Sequence, residues 1–471
     1  MTGPDVVALI PIIVLLVGST VILLAGAWWP AARRPLLLAG AGVALVAAFC
    51  AGCLPPPVLE VGGMYGTGPY ARFFTVLWSL VAALTLLLSL RYGEERAFAG
   101  GEYTSLVLFA AVGMALLSSA TSLVGLFLGL ESFTLALYIL IAFDKKGPEG
   151  AEAGLKYLVL GAVATGFLAF GIALIYTASG TFHLPEAVGA LAAGTEMRPI
   201  ALLGWAMLLV AVGFKVSLVP FHLWTPDVYQ GAPAPVTGLL ATGSKGAVFA
   251  ALVTLFAGIQ ADSELAPILA TLAAVTMLVG TLAALPQQNI KRMLAYSSVV
   301  HMGFVLTGLL AGGPDGRSAV LFYLVAYAAV TLGAFGVVAS LADGRGEPQQ
   351  YADLRGLGYR HPFRAGALAV FLFSLAGIPP TAGFIGKFGI FHAAIQAGYL
   401  WLALLGVLAS LISLAYYLRP VIVLFMAEEE APARHPGSAE EQAALLVCLA
   451  AALLLGVLPG PLLDLIVVVI P

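Results

Sequence analysis

The chain has 471 residues, 61% of them hydrophobic and 10% charged, with a net charge of −3. A soluble domain carries about 25% charged residues, so a water-soluble globule is excluded, and the slightly negative balance argues against a nucleic-acid partner. Three cysteines, Cys50, Cys53 and Cys448, fall short of the roughly four ligands of a zinc or iron–sulfur site and read as ordinary helix residues.

A membrane-spanning helix needs about 20 apolar residues. In chain order such runs fall at 5–28, 36–54, 70–90, 104–120, 122–143, 152–177, 199–224, 233–258, 264–286, 290–312, 317–342, 364–396, 399–426 and 441–468. The first is read as a retained helix, because Met1 to Asp5 lacks the basic stretch of a cleaved leader. The twelfth is long because Gly377-Ile-Pro-Pro380 interrupts it, and Pro-Gly-Pro at 459–461 predicts a separate short segment at the end of the last. Backbone polar groups in lipid must be satisfied within their own segment. The predicted fold is therefore all-α integral membrane, with about 14 transmembrane helices.

Basic residues set the expected orientation. Thirteen lie at the junctions after odd-numbered spans, Lys146, Lys291, Arg345, Arg364 and Arg434 among them, and three after even-numbered spans. This asymmetry predicts odd junctions in the cytoplasm and both termini outside. Five more basic residues fall within spans: Lys156, Lys215, Lys245, Lys387 and Arg419.

An internal repeat is visible. Ala164-Thr-Gly-Phe-Leu-Ala-Phe-Gly171 in the sixth span matches Ala329-Val-Thr-Leu-Gly-Ala-Phe-Gly336 in the eleventh at its first residue and its closing Ala-Phe-Gly. The seventh span is interrupted near Pro220 and the twelfth near Pro379-Pro380, each close to a lysine, Lys215 or Lys387. Paired interrupted helices point to repeated transporter halves with a site at each break. An offset of five spans requires the copies to be inverted. The expected organisation is an N-terminal three-helix segment (1–100), a first five-helix unit (101–258), a second, inverted unit (259–426) and a C-terminal helix (427–471).

The chemistry lies in the ionisable residues of the spans. A charge at mid-membrane costs about 2.5–3.5 kcal/mol on the insertion scale, so Glu131, Lys215, Lys245 and Lys387 must face the interior, pair, or reach water. Structural ion pairs alone do not account for them, since one glutamate cannot neutralise three lysines. In water a lysine titrates near pH 10.4; desolvation and neighbouring cations lower that value and a carboxylate raises it. Switching a neighbour can therefore drive a proton on or off. Glu131 is the natural partner of Lys215, and Lys245 is placed to pass a proton toward Lys387. His301, in the tenth span, titrates near neutrality and is a further relay candidate. Lys156 lies where a proton could be taken up or where its stem could snorkel, and Arg419 reads as an anchor. His222, Asp227 and Tyr229 either line an access path or cap a helix end.

The run Phe214-Lys-Val-Ser-Leu-Val-Pro-Phe-His-Leu-Trp-Thr-Pro-Asp-Val-Tyr-Gln-Gly-Ala-Pro-Ala-Pro-Val-Thr237, followed by Lys245, resembles the proton-conducting membrane transporter family. These are the antiporter-like subunits of respiratory complex I and of Mrp-type cation/proton antiporters. Tyr351-Ala-Asp-Leu-Arg-Gly-Leu-Gly358, Ser374-Leu-Ala-Gly-Ile-Pro-Pro-Thr-Ala-Gly-Phe-Ile-Gly-Lys-Phe388 and Tyr416-Tyr-Leu-Arg419 favour the complex I branch. The resemblance implies two inverted five-helix units and relay roles for Glu131, Lys215, Lys245 and Lys387. It implies redox-driven proton translocation in the cell inner (plasma) membrane, with an Mrp-type antiporter as the alternative. It also implies other membrane subunits and a peripheral electron-transfer arm as partners. No cofactor is expected in this chain; FMN, iron–sulfur clusters and quinone would belong to the partner subunits.

Overall fold

In a computed structural model, residues 3–54, 60–98, 100–145, 148–192, 197–256, 265–343, 346–426 and 437–470 are described. Among these, thirteen helices are long and apolar enough to cross a membrane. The predicted twelfth span supplies one more crossing as two shorter helices, Pro362–Ala376 and Ala382–Gln396. The predicted fourteen runs thus each correspond to helix, numbered below as in the sequence. The last run divides at its Pro-Gly-Pro into Ala439–Val457 and Gly460–Val469, as its prolines predict.

The ends of the helices follow from local chemistry. Ser122 caps the fifth span (Leu123–Ile141) by accepting from Gly125 N at 3.0 Å. Asn289 caps the tenth (Ile290–Ala311) by accepting from Lys291 N and Arg292 N. Such caps satisfy N–H groups that have no partner inside the helix. At the other end of the tenth, Gly312 adopts φ +62°, a conformation open to glycine. A small hairpin pairs Glu60–Val61 with Tyr65–Gly66 between the second and third spans.

Burial grades inward. Phe49, Leu135, Phe170, Leu404 and Leu411 are exposed, as side chains facing acyl chains are. The eighth span (Ala234–Leu255) is buried at all but Thr254, and the tenth is nearly as enclosed. Close approach needs small residues: a Cβ on Gly246, in the eighth span, would meet the Trp78 ring at 2.4 Å. The candidate side chains lie on these enclosed helices and on the helices packed around them.

Two spans are broken. The seventh runs as Arg198–Lys215, unwinds over 216–223, and resumes as Trp224–Gly231, so its second part extends beyond the predicted limit at 224. Ser217 sits in the unwound stretch at φ +62°, a strained conformation for a residue with a Cβ; its Oγ accepts from Thr225 Oγ1 at 2.7 Å. The twelfth unwinds over 377–381, where Gly377 takes φ +88°.

Two junction cations are not at the surface. Lys291 is buried against Glu347, and Arg364 lies buried 3.6 Å from Glu441. The loop count treats them as exposed because a cation beside a span end reads as surface until its partner is known. Lys146, Arg345 and Arg434 lie outside the described residues.

Candidate functional site

Four of the six candidate residues, Lys215, Lys245, His301 and Lys387, are buried inside the bundle. Lys215 ends the first half of the seventh span, where a cation is favourably placed against the helix C-terminus. Its Nζ donates to Thr134 Oγ1 at 2.9 Å. The sequence reading took Glu131 as its partner, an opposite charge able to attract or release it. Glu131 Oε1 accepts from Thr165 Oγ1 at 2.8 Å, so the carboxylate is held by a hydroxyl one turn before Thr134. Thr134 stands one turn beyond Glu131 on the fifth span, so it occupies the position facing Lys215. A carboxylate and an ammonium that are near but not bonded can still change each other's charge state.

Lys245 follows a single π-helical turn, Leu240–Ser244, inside the eighth span. Such turns rotate the residues after them and are frequent at functional sites. Lys245 Nζ donates to Ser298 Oγ at 2.8 Å, and Tyr327 OH donates to the same oxygen at 2.8 Å. A serine hydroxyl accepts twice and donates once. The Ser298 proton is therefore directed to Tyr229 OH, 3.3 Å away. Among the described residues no carboxylate pairs with Lys245.

His301 lies one turn beyond Ser297 and Ser298. Its Nδ1 meets Tyr323 OH and its Nε2 meets Tyr417 OH at 3.1 Å; Tyr417 OH in turn meets Ser297 Oγ. A neutral imidazole offers one donor and one acceptor, so a proton taken at one nitrogen can be released at the other. Lys387 lies in the second half of the twelfth span, and its Nζ donates to the Ala376 carbonyl at 3.0 Å, across the break.

Aromatic rings stand between these groups. Lys215 Nζ lies 5.8 Å from the centres of Tyr138 and Tyr157. Lys245 Nζ lies 5.9 Å from Trp224 and 5.2 Å from Tyr229. Trp224 packs on Tyr157 and Phe214 with centroids 4.8 and 5.4 Å apart. Phe304 stands between His301 (5.5 Å between ring centres) and Lys387 Nζ (5.0 Å from the ring centre). Cations over ring faces at these distances are attracted to them.

Lys156 is set apart from the buried four. It pairs with Asp227 at 2.8 Å and Glu152 at 2.7 Å, and Arg292 pairs with the other oxygen of Asp227 at 2.7 Å. Burial pushes the Asp227 carboxyl up, but the hydrogen bonds and charges of Lys156 and Arg292 outweigh it and hold it below the usual carboxylate range. Glu149, Glu152, Lys156, Asp227 and Gln230 line a polar cavity of about 180 Å³. His222 is buried, and its Nδ1 has no hydrogen-bond partner among the described residues. Arg419 donates to the Leu285 carbonyl, just past the end of the ninth span (Leu265–Ala284), as an anchor does.

The sequence reading did not assign Thr134, Ser298, Tyr323, Tyr327 or Tyr417 a part in the site. Ser298 and Ser297 lie three and four residues before His301 and so share its side of the helix, a spacing that would have flagged the serines. Nothing in the residue order announces the π turn.

An enclosed ladder of lysines, hydroxyls and one histidine, bracketed by two broken helices, defines a polytopic membrane protein of the antiporter-like class. The chain belongs to the NADH:quinone oxidoreductase/Mrp antiporter transmembrane family, which matches residues 120–413. It is 51% identical over 463 residues to NADH-quinone oxidoreductase subunit N of Syntrophotalea carbinolica, covering 98% of each chain. It is 48% identical to the protein of that name in Geotalea uraniireducens, covering 99% of each. Among solved structures it resembles a chain of respiratory complex I from Thermus thermophilus with bound aureothin. That match has a TM-score of 0.82 and 35% identity, covering 96% of this chain and 98% of the other. It shares its fold with a chain of the Mrp complex from Dietzia sp., at TM-score 0.82 and 22% identity, covering 100% of this chain and 97% of that one.

Proposed function

We propose that this chain is a membrane subunit of a redox-driven proton pump, a NADH:quinone oxidoreductase, with the role that its relatives' shared name, subunit N, denotes. It is thereby a subunit of an enzyme, a proton translocase, rather than the seat of the redox chemistry. Glu131 and Lys215 form the first transfer site. Lys245 and His301, with Ser298 and the tyrosines, carry the proton through the centre, and Lys387 delivers it at the far break. Lys156, with Asp227, lies at the mouth where protons are taken up.

The observation that supports this reading most is the setting of Lys245: an ammonium wholly enclosed in an apolar bundle, given a chain of hydroxyls instead of a carboxylate. A structural ion pair would have a counter-charge there. The lysines and hydroxyls at the two breaks extend the same chemistry in both directions. Other membrane subunits are its neighbours, and a peripheral arm holding FMN and iron–sulfur clusters supplies the electrons that reduce quinone. The complex sits in the cell inner (plasma) membrane with the odd-numbered junctions toward the cytoplasm. An Mrp-type cation/proton antiporter is less well supported, because that likeness is one of fold.

Lys215→Ala in the assembled complex tests the reading, with electron transfer and proton uptake measured side by side. Both are expected to fall together, since a pump whose transfer step is blocked stalls its redox reaction. An unchanged rate and an unchanged proton-to-electron ratio would overturn the relay role.

A further inference from the structure

Lys291 is the second residue of the tenth span, and its side chain is 1% exposed. Its Nζ donates to Glu347 Oε2 at 2.5 Å and to the Ala232 carbonyl at 2.5 Å. The other oxygen of Glu347, Oε1, accepts the Ala234 N–H at 2.6 Å. Ala232 and Ala234 flank Pro233 at the turn where the helix Trp224–Gly231 passes into the eighth span. Glu347 belongs to the segment after the eleventh span. Downstream in that segment, Gln349 O accepts from Ile290 N and Tyr351 N donates to Gln288 O at the start of the tenth. One carboxylate and one ammonium thus tie together the seventh-to-eighth turn, the start of the tenth span and this strap.

The local sequence makes such a tie necessary. Ala234 N–H is one of the donors that a helix start leaves unpaired, and it is buried. Pro235 has no N–H at all. A carboxylate is the strongest acceptor for a buried donor, and its charge suits a helix N-terminus. The eighth span is buried at all but Thr254, so its axial and rotational setting is fixed by its neighbours and by its ends. Lys291 and Ser298 lie on one helix two turns apart, and Ala234 and Lys245 lie on the other. The bond from Glu347 to Ala234 and Lys291 is one rung between these helices. The 2.8 Å bond from Lys245 to Ser298 is the next.

We propose that Lys291 and Glu347 are positioning residues for proton transfer: their ion pair, anchored on the Ala232 carbonyl and the Ala234 N–H, sets the eighth span against the tenth so that Lys245 meets Ser298. This rests on the relay reading above. Neither side chain handles the transferred proton; both act through the distance between two groups that do. A misplacement of about 1 Å far from the reacting atoms can cost on the order of 100-fold in rate.

The test uses the assembled complex in native membranes, with Lys291→Met and Glu347→Gln as the variants and Lys291→Arg and Lys245→Ala as references. The amount of complex, electron transfer per complex, proton uptake, and the ratio of rates in H2O and D2O are measured together. Lys291→Met and Glu347→Gln are expected to assemble and to turn over roughly tenfold more slowly. Their solvent isotope effect should rise, because proton transfer becomes the slow step, and Lys291→Arg should recover most of the rate. Less complex with unchanged turnover per complex and an unchanged isotope effect would overturn the proposal, leaving a merely structural pair. Should Lys291→Met fail to assemble, Glu347→Gln, which keeps an oxygen for Ala234 N–H, decides on the same readings; failure of both to assemble also overturns it. Lys245→Ala separates the two readings. If it is silent, the relay falls. If it stalls the enzyme while the pair's variants behave as the parent, only the positioning role falls.

Discussion

The two broken spans invite comparison, because each carries a lysine at its break and the two lysines are held differently. Lys215 lies before its break and donates to a threonine hydroxyl, with the Glu131 carboxylate nearby. Lys387 lies after its break and donates to a backbone carbonyl, with a phenylalanine face as its other neighbour. The carbonyls that end each first half-helix are met from across the break in both cases: Trp224 Nε1 donates to Phe214 O at 3.0 Å, and Lys387 Nζ donates to Ala376 O. In the seventh span, capping and charge are divided between two residues. In the twelfth, one lysine does both. On the proposed relay, the first site is open to switching by a carboxylate, whereas the second has a carbonyl and an aromatic ring beside its lysine.

The largest expected effect removes that distinction. Lys387→Ala should lower electron transfer and proton uptake together, as Lys215→Ala does, by about 100-fold or more, the scale of a lost proton-transfer group. A silent Lys387→Ala would mean the two breaks are not equivalent. Glu131→Gln sharpens the comparison, since it strips the switch from the first site alone. Turnover should fall by about tenfold, corresponding to roughly 1.4 kcal/mol of barrier. Lys387→Arg in the same background should be no more sensitive than in the parent. Trp224→Phe keeps an aromatic ring and removes the indole N–H from Phe214 O, which retains the Ser217 N–H, costing about 1 kcal/mol. It should appear as a lower thermal midpoint of the solubilised complex.

The smallest effect is at the surface. Asp227 is held below the usual carboxylate range by Lys156 and Arg292, so its contribution to stability is present above the ordinary carboxylate pKa. It is lost as the pH falls through the lowered value. Asp227→Asn should therefore be less thermostable than the parent at pH 7, with the gap closing on acidification. Thermal scans of both proteins at the two pH values measure it.

Much of this was legible in the residue order, for a physical reason. The cost of burying charge in lipid singles out Lys215, Lys245 and Lys387, and proline marks both breaks, with Gly377 beside the second. Contacts between helices were not legible, because they depend on how each helix is rotated. Thr134 rather than Glu131 receives Lys215: the two stand one turn apart on the same helix face, and the level at which Lys215 enters decides which of them it meets. The π turn ahead of Lys245 left no mark in the residue order, so the bond from Lys245 to Ser298 was hidden as well. The buried state of Lys291 was hidden because its partner Glu347 lies beyond another span. The predicted inversion of the two halves rests on the offset of the motifs and on the span count.

The rings at Trp224 and Phe304 carry a consequence for energy conservation. A wire of hydroxyls and amines that ran unbroken between the two faces would short-circuit the membrane and dissipate as heat the gradient the enzyme builds. On the proposed relay, insulation at two points along the conductor would let charge be stored on one lysine at a time, with current passing only when a neighbouring segment is made conductive.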